Sequence, residues 1–185
     1  ERYHNEIIGY HGSEEGLETL LGYQLFSIGN RADSAALVYQ VDYVLDGYVK
    51  KAGTNFVLSV GRLIGSQPEL KGEQRLRKED IYWEMPRCYQ WDITVNLPEG
   101  YRISPEGLER LNVKVENDCG AFIVQATTED GTLRIKAEKR INHKTEPVAN
   151  WEKLLEITDA ANSYEALSIV FQATINPPTS PTTGY

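Results

Sequence analysis

Thr127-Thr128-Glu129-Asp130-Gly131-Thr132-Leu133-Arg134-Ile135-Lys136-Ala137-Glu138-Lys139-Arg140-Ile141 decides the fold class. Asp130-Gly131 tolerates positive φ, which a two-residue hairpin turn needs if its twist is to match the strands it joins. Beyond the turn, Leu133, Ile135, Ala137 and Ile141 alternate with Arg134, Lys136, Glu138 and Arg140. A period of two with one charged row is the signature of an antiparallel strand with one dry and one wet face. Ala121 to Thr128 supplies the partner strand. Upstream come Leu111, Val113 and Val115, closed by the turn-rich Asn117-Asp118-Cys119-Gly120. Before them, Trp91, Ile93, Val95 and Leu97 alternate with Asp92, Thr94 and Asn96 until Pro98-Glu99-Gly100. Ile81, Trp83 and Met85 form a shorter row that ends at Pro86, which cannot donate to a ladder.

Further out, Leu37, Tyr39, Val41, Tyr43 and Leu45 make another alternating strand before the Asp46-Gly47 turn, and Phe56 to Val60 is an apolar run closed by Gly61. Gly65 to Asp80 is polar and loop-like. Two segments read as helices. In Ser13–Asn30 the residues Leu17, Leu20, Leu21, Leu25 and Ile28 recur at intervals of three and four. Ser13 stands as N-cap, Glu14 and Glu15 suit the helix dipole, and Gly29-Asn30 is the stop. Gly16 and Gly22 oppose this helix by about 1 kcal/mol each. The second helix starts near Pro147 and carries Trp151, Leu154, Leu155, Thr158 and Ala161 inward, ending at Asn162-Ser163. Leu167, Ile169, Phe171 and Ala173 form the last strand. The expected fold is mainly β: an antiparallel β-sandwich of about eight strands with two accessory helices, one N-terminal and one before the last strand. Residues 1–12 read as a linker from an upstream domain, 13–175 as the sandwich, and 176–185 as a flexible Pro/Thr tail. The chain opens Glu1-Arg2-Tyr3-His4 and its one Met is Met85, the look of a piece of a longer protein.

Of 185 residues, 27 are acidic and 19 basic, a formal charge of −8, which argues against counterion-driven nucleic-acid binding. A hydrophobic fraction of 41% with 25% charged residues is globular composition. No apolar run reaches the ~18 residues of a membrane-spanning helix.

The chemistry-bearing residues are sparse. Cys88 and Cys119 are either two unpaired thiols or one disulfide; two thiols cannot close a tetrahedral zinc site. Cys119, His143 and the adjacent Asp118 contain the residue types of a nucleophilic triad. However, Ala121 begins a strand where an oxyanion-forming helix start would be needed, so no catalytic residue is assigned. His4 and His11 stand apart from His143, so no metal site is expected, and no glycine-rich loop calls for a nucleotide cofactor. Acidic pairs such as Glu79-Asp80 arise readily among 27 acids. Arg75, Arg77, Lys78 and Arg87 form a basic spot expected to pair locally with Glu73, Glu79 and Asp80. Eleven Tyr and three Trp invite sugar stacking. Trp83 and Trp91 fall in apolar rows, whereas Tyr82 and Tyr89 read as out of phase and are the candidate ligand-binding residues.

One larger pattern stands out. Ile81-Tyr82-Trp83-Glu84-Met85-Pro86 precedes Trp91-Asp92-Ile93-Thr94-Val95-Asn96-Leu97-Pro98-Glu99-Gly100-Tyr101. Three strands follow, then Asn150-Trp151-Glu152-Lys153-Leu154-Leu155 and a closing apolar strand. This order, from about Glu14 to Phe171, resembles the C-terminal domain of unknown function of bacterial transglutaminase-like, protease-like proteins. In that family a β-rich domain and a papain-like core precede it, in large exported chains. No segment here matches the surroundings of the core's catalytic Cys, His and Asp. The resemblance implies a non-catalytic accessory domain without cofactor, whose partner is the catalytic core of the same parent chain. It would brace that core or position a protein or cell-wall substrate, in the periplasm or at the surface of a bacterium. The aromatic count supports a second reading, a carbohydrate- or cell-surface-binding module.

Overall fold

A computed structural model describes residues 17–30 and 35–174. The chain divides into two compact units, Glu1–Val49 and Lys50–Tyr185. The expected linker 1–12 and tail 176–185 lie outside the described residues.

In the first unit, β1 (Leu17–Asn30) pairs antiparallel with β2 (Ala35–Leu45). The N-terminal helix expected over Ser13–Asn30 is therefore corrected to a strand from Leu17 onward. The reason lies in the register. Three shifts, between Leu17 and Thr19, Leu20 and Gly22, and Leu25 and Ser27, each insert a residue into β1. Leu17, Leu20, Tyr23, Leu25 and Ile28 thereby come opposite Leu45, Tyr43, Val41, Tyr39 and Leu37, the odd-numbered row of β2. Bulges turn a spacing of two into three, so the row imitates a helical period. The expected strand Leu37–Leu45 is present as β2.

The second unit begins one residue into β3 (Val49–Ala52) and holds the rest. β3 and β4 (Asn55–Leu58) lead into a 3-10 turn at Val60–Ile64 and a second at Gly72–Arg75. Then come β5 (Ile81–Tyr82), β6 (Arg87–Asn96), β7 (Tyr101–Arg102) and a short helix Pro105–Glu109, capped by the Ser104 hydroxyl accepting from the Gly107 amide at 3.0 Å. β8 (Val113–Asn117), β9 (Gly120–Glu129), β10 (Thr132–Ile141) and β11 (Thr145–Glu146) follow. A long helix, Trp151–Glu165, precedes β12 (Ile169–Ala173). The described residues thus hold twelve strands rather than about eight. β5, β7 and β11 have two residues each, too short to print a period.

Two four-stranded sheets, β6-β10-β9-β8 and β3-β4-β12-β7, and the pair β11-β5 make up this unit. The fold is mainly β with antiparallel sheets, as the alternation requires. Asp130 (φ 47) and Gly131 (φ 72) form the turn between β9 and β10, both in the left-handed region. One core takes Phe122, Val124, Leu133 and Ile135 from the first sheet, Leu58, Ile169 and Phe171 from the second, and Leu154, Leu155, Ile157, Ala161 and Tyr164 from the long helix. Phe122 and Tyr164 meet edge to face at 5.7 Å.

The long helix begins after a 3-10 turn at Val148–Asn150 and runs past Asn162-Ser163 to Glu165. The polar stretch 65–80 is a strap laid along it. The Gln67 amide donates to Glu165, the Arg75 guanidinium grips Asp159 at 2.7 and 2.8 Å, and the Trp151 indole donates to the Arg75 carbonyl. Arg77 lies over the Trp151 ring at 5.4 Å, and Asp80 accepts from the Val148 amide. Arg75 and Arg77 therefore meet the long helix, not the neighbouring Glu73 and Glu79 with which local pairing was expected. At the helix's other end, Gly61 lies so close that a Cβ there would sit 1.9 Å from the Tyr164 carbonyl oxygen.

Candidate functional site

The turn between β8 and β9 holds the residues with the most chemical potential. Asn117 pairs with Gly120, leaving Asp118-Cys119 as a two-residue loop. Asn117 Oδ1 accepts from the Cys119 amide at 3.0 Å, and the Cys119 carbonyl accepts from the Asn142 amide at 2.9 Å. The Cys119 side chain is 0% exposed and packs with Ile81, Leu154, Trp83, Ile141 and Trp151. β11, pinned to β5, buries the Glu146 carboxylate beside it at 2% exposure.

Glu146 is the hub of this cluster. His143 Nδ1 lies 2.5 Å from its Oε1, and Asn150 donates to its Oε2 at 2.7 Å. Burial pushes the carboxyl upward, but hydrogen bonds from His143 and Asn150 outweigh it and hold Glu146 below its ordinary value. Cys119 moves the other way: burial, and then the facing carboxylate, raise its thiol. A nucleophilic thiol is activated by surroundings that lower its pKa or by an adjacent base such as an imidazole. Here a carboxylate stands between thiol and imidazole, and the thiol is kept protonated and dry. Asp118 takes no part; it is exposed and pairs with Lys153 at 3.0 Å. Of the triad types noted in the sequence, Cys119 and His143 do gather, but on Glu146. Glu146 and Asn150 carry no sequence signal that separates them from other acids and amides.

Cys88 and Cys119 are both free thiols, one exposed and one buried. Among the described residues no group of three or more His, Cys, Asp or Glu is placed to hold a metal ion.

A second feature is a shallow hollow of about 560 Å3 lined by residues of β6, β9 and β10, among them Gln90, Asp92, Gln125, Lys136, Glu138 and Arg140. Arg140 bridges Glu116 and Glu138, and Gln90 donates to Glu138 at 3.0 Å. The Gln90 amide and the Arg140 guanidinium hold the Glu138 carboxyl below its ordinary value. Asp92 and Lys136 sit opposite one another in the register, with Gln125 on the far side of Lys136. Those three side chains have no hydrogen-bond partner among the described residues and are available to a polar ligand.

The two candidate tyrosines are both exposed, Tyr82 at 64% and Tyr89 at 48%. Lys144 lies over the Tyr82 ring at 5.1 Å. Tyr89 is not out of phase, as the sequence reading had it: two residues before Trp91 on β6, it shares that row and stacks on Trp91 at 6.0 Å and 21°. Among the described residues no ring contact joins Tyr82 to Tyr89, so they do not form one platform. Trp83 and Trp91 are half-buried, consistent with their apolar rows.

No helix among the described residues is long and apolar enough to cross a membrane. No curated protein and no solved structure matches the chain. Residues 60–171, more than half of the sequence, do match one family profile, and the span runs from the 3-10 turn at Val60 to Phe171 in β12. The chain belongs to the family DUF3858, a domain of unknown function.

Proposed function

We propose that this chain is a non-catalytic accessory domain of a larger transglutaminase-like, protease-like bacterial protein. It braces the catalytic core of the same parent chain or holds a protein or cell-wall substrate near it, outside the cytoplasm. The single observation that carries this reading is the state of Cys119. Its thiol is fully buried, held protonated, and faces the Glu146 carboxylate, which raises its pKa, instead of an imidazole. A surface for contact is available on one segment, where Leu76, Tyr82, Met85 and Tyr89 are all exposed. The resemblance in element order supplies the identity of the partner.

The test has two parts. Alkylation of the native chain should modify Cys88 and spare Cys119, with both reacting after denaturation. Assays for amidase, peptidase and transamidase activity should give no turnover. Turnover that Cys119→Ala abolishes would overturn the proposal.

The polar hollow favours a second reading, a carbohydrate-binding module. Asp92, Lys136 and Gln125 offer acceptors and donors to hydroxyl groups on one face of the sheet, whereas Tyr89 lies in the opposite row of β6 and takes no part in this hollow. Glycan binding weakened by Asp92→Ala and Gln125→Ala would support it, and a glycan array without signal would remove it.

A further inference from the structure

β6 is an open edge. It ends its sheet and pairs with β10 alone. The Leu97 amide donates to the Gly131 carbonyl at 2.8 Å, which fixes the alternation of the ladder. In an antiparallel pair every second residue faces its partner strand. Val95, Ile93, Trp91, Tyr89 and Arg87 therefore bond β10. The amides and carbonyls of Cys88, Gln90, Asp92, Thr94 and Asn96 face outward, and among the described residues they have no backbone partner.

Proteins blunt such edges with short strands, bulges, prolines, or lysines. β6 has none of these. It is 10 residues long, its register with β10 is unbroken from Arg87 to Asn96, and it contains neither Pro nor Lys. Its core-side row of Tyr89, Trp91, Ile93 and Val95 is only partly covered. Five outward amide and carbonyl pairs at alternate positions, open to solvent, present a second extended strand with a continuous ladder to pair with.

We propose that the strand which covers β6 is β6 of a second copy of this chain, paired antiparallel about a twofold axis at Trp91. Two arguments select this partner. The chain carries a net charge of −8, so two copies repel, yet β6 has one Arg and one Asp and is itself neutral. The strand is also self-complementary in one register. Centring on Trp91 sets Trp91 against its counterpart, Tyr89 against Ile93 and Arg87 against Val95, all pairs that bond inward. On the other face Gln90 meets Asp92 and Cys88 meets Thr94, all residues whose main chain faces the edge. Centring one residue later, on Asp92, would oppose two carboxylates. The pairing joins two four-stranded sheets into one continuous sheet and closes the edge.

Sedimentation of the full 185-residue chain over a micromolar to millimolar series should show the mass doubling. Thr94→Pro removes an outward donor and no bond to β10, so the fold should hold while the dimer weakens by about tenfold or more. A second variant reads the register directly. In Thr94→Cys the new thiol lies opposite Cys88 of the other copy, within disulfide reach. It stands six residues from its own Cys88 along an extended strand, roughly 20 Å away. Mild oxidation should therefore give a covalent dimer on a non-reducing gel, and Lys114→Cys on β8 should not. A monomer throughout the series overturns the proposal. So does a dimer that Thr94→Pro leaves unchanged and Thr94→Cys fails to lock.

Discussion

Glu146 shows what a single buried charge does in this molecule. A lone carboxylate at 2% exposure would cost several kcal/mol in desolvation. His143 and Asn150 offset that by donating to its two oxygens, and the result is a clasp between the 142–150 segment and the turn at Cys119. Its folded carboxyl lies below the unfolded value, so the clasp stabilises fully at pH above about 4.3. The contribution is lost as pH falls through the depressed folded value. Glu146→Gln should cost about 2 kcal/mol at pH 7, because two donors lose an ionised acceptor. Asp159 and Glu138 are also held low by Arg75 and by Gln90 with Arg140, so the whole fold weakens in acid. The decisive readout is the difference between parent and variant in urea denaturation, which should shrink as pH drops from 6 to 3. A difference that is constant across this range would show that Glu146 is not ionised in the clasp.

At the scale of elements, what the sequence makes legible depends on how long an element keeps one period. β9 and β10 keep period two for ten residues each and share a two-residue turn, so type, partner and turn are all readable from Ala121 to Ile141. The long helix is readable for the same reason, except that its true end lies at Glu165, where Gly61 and the strap hold it. β1 is the counterexample. Its three bulges break the period, and only the partner strand reveals that Leu17, Leu20, Tyr23, Leu25 and Ile28 form a row. The site shows the same divide. Cys119 and His143 are visible as types, but they lie 24 positions apart, and Glu146 joins them only through a two-residue strand that no periodicity marks. Gly61 is similarly silent in sequence and exacting in structure. The Gly61 amide donates to the Leu167 carbonyl at 3.0 Å, and backbone oxygens of Tyr164 and Glu165 fill the space a Cβ would occupy. Because backbone cannot swing aside as a side chain can, Gly61→Ala should destabilise by about 2–3 kcal/mol. Gly131→Ala, with nothing within 4 Å of the added Cβ, should cost only the strain of positive φ, about 1 kcal/mol. Thermal melts of the two variants should rank them in that order, and equal losses would remove the close-packing account of Gly61.

On the scale of the whole chain, stability should be unevenly spread between the two units. In the second unit β9 and β10 each have a neighbour on both sides, and their inward residues from Ala121 to Ala137 are largely buried. Opening them requires dismantling the core they share with the long helix, so their amides should exchange only through global unfolding. The hairpin of the first unit has a single ladder, and Leu21, Phe26, Val38 and Val44 remain exposed on it. A two-stranded ribbon with so little buried area is marginal in water. Its amides should exchange with opening free energies near zero, several kcal/mol below those of β9 and β10. β6 provides an internal gauge between these limits. Its inward-bonded amides, at Tyr89, Trp91, Ile93 and Val95, should be protected through β10, whereas those of Gln90, Asp92 and Thr94 should exchange freely when copies are dilute. Hydrogen exchange read residue by residue by NMR distinguishes the three classes. If the hairpin amides were protected as strongly as those of β10, the division of stability argued from ladder count and burial would be wrong. If dilute chains protected odd and even positions of β6 alike, the free-edge assignment would fail with it.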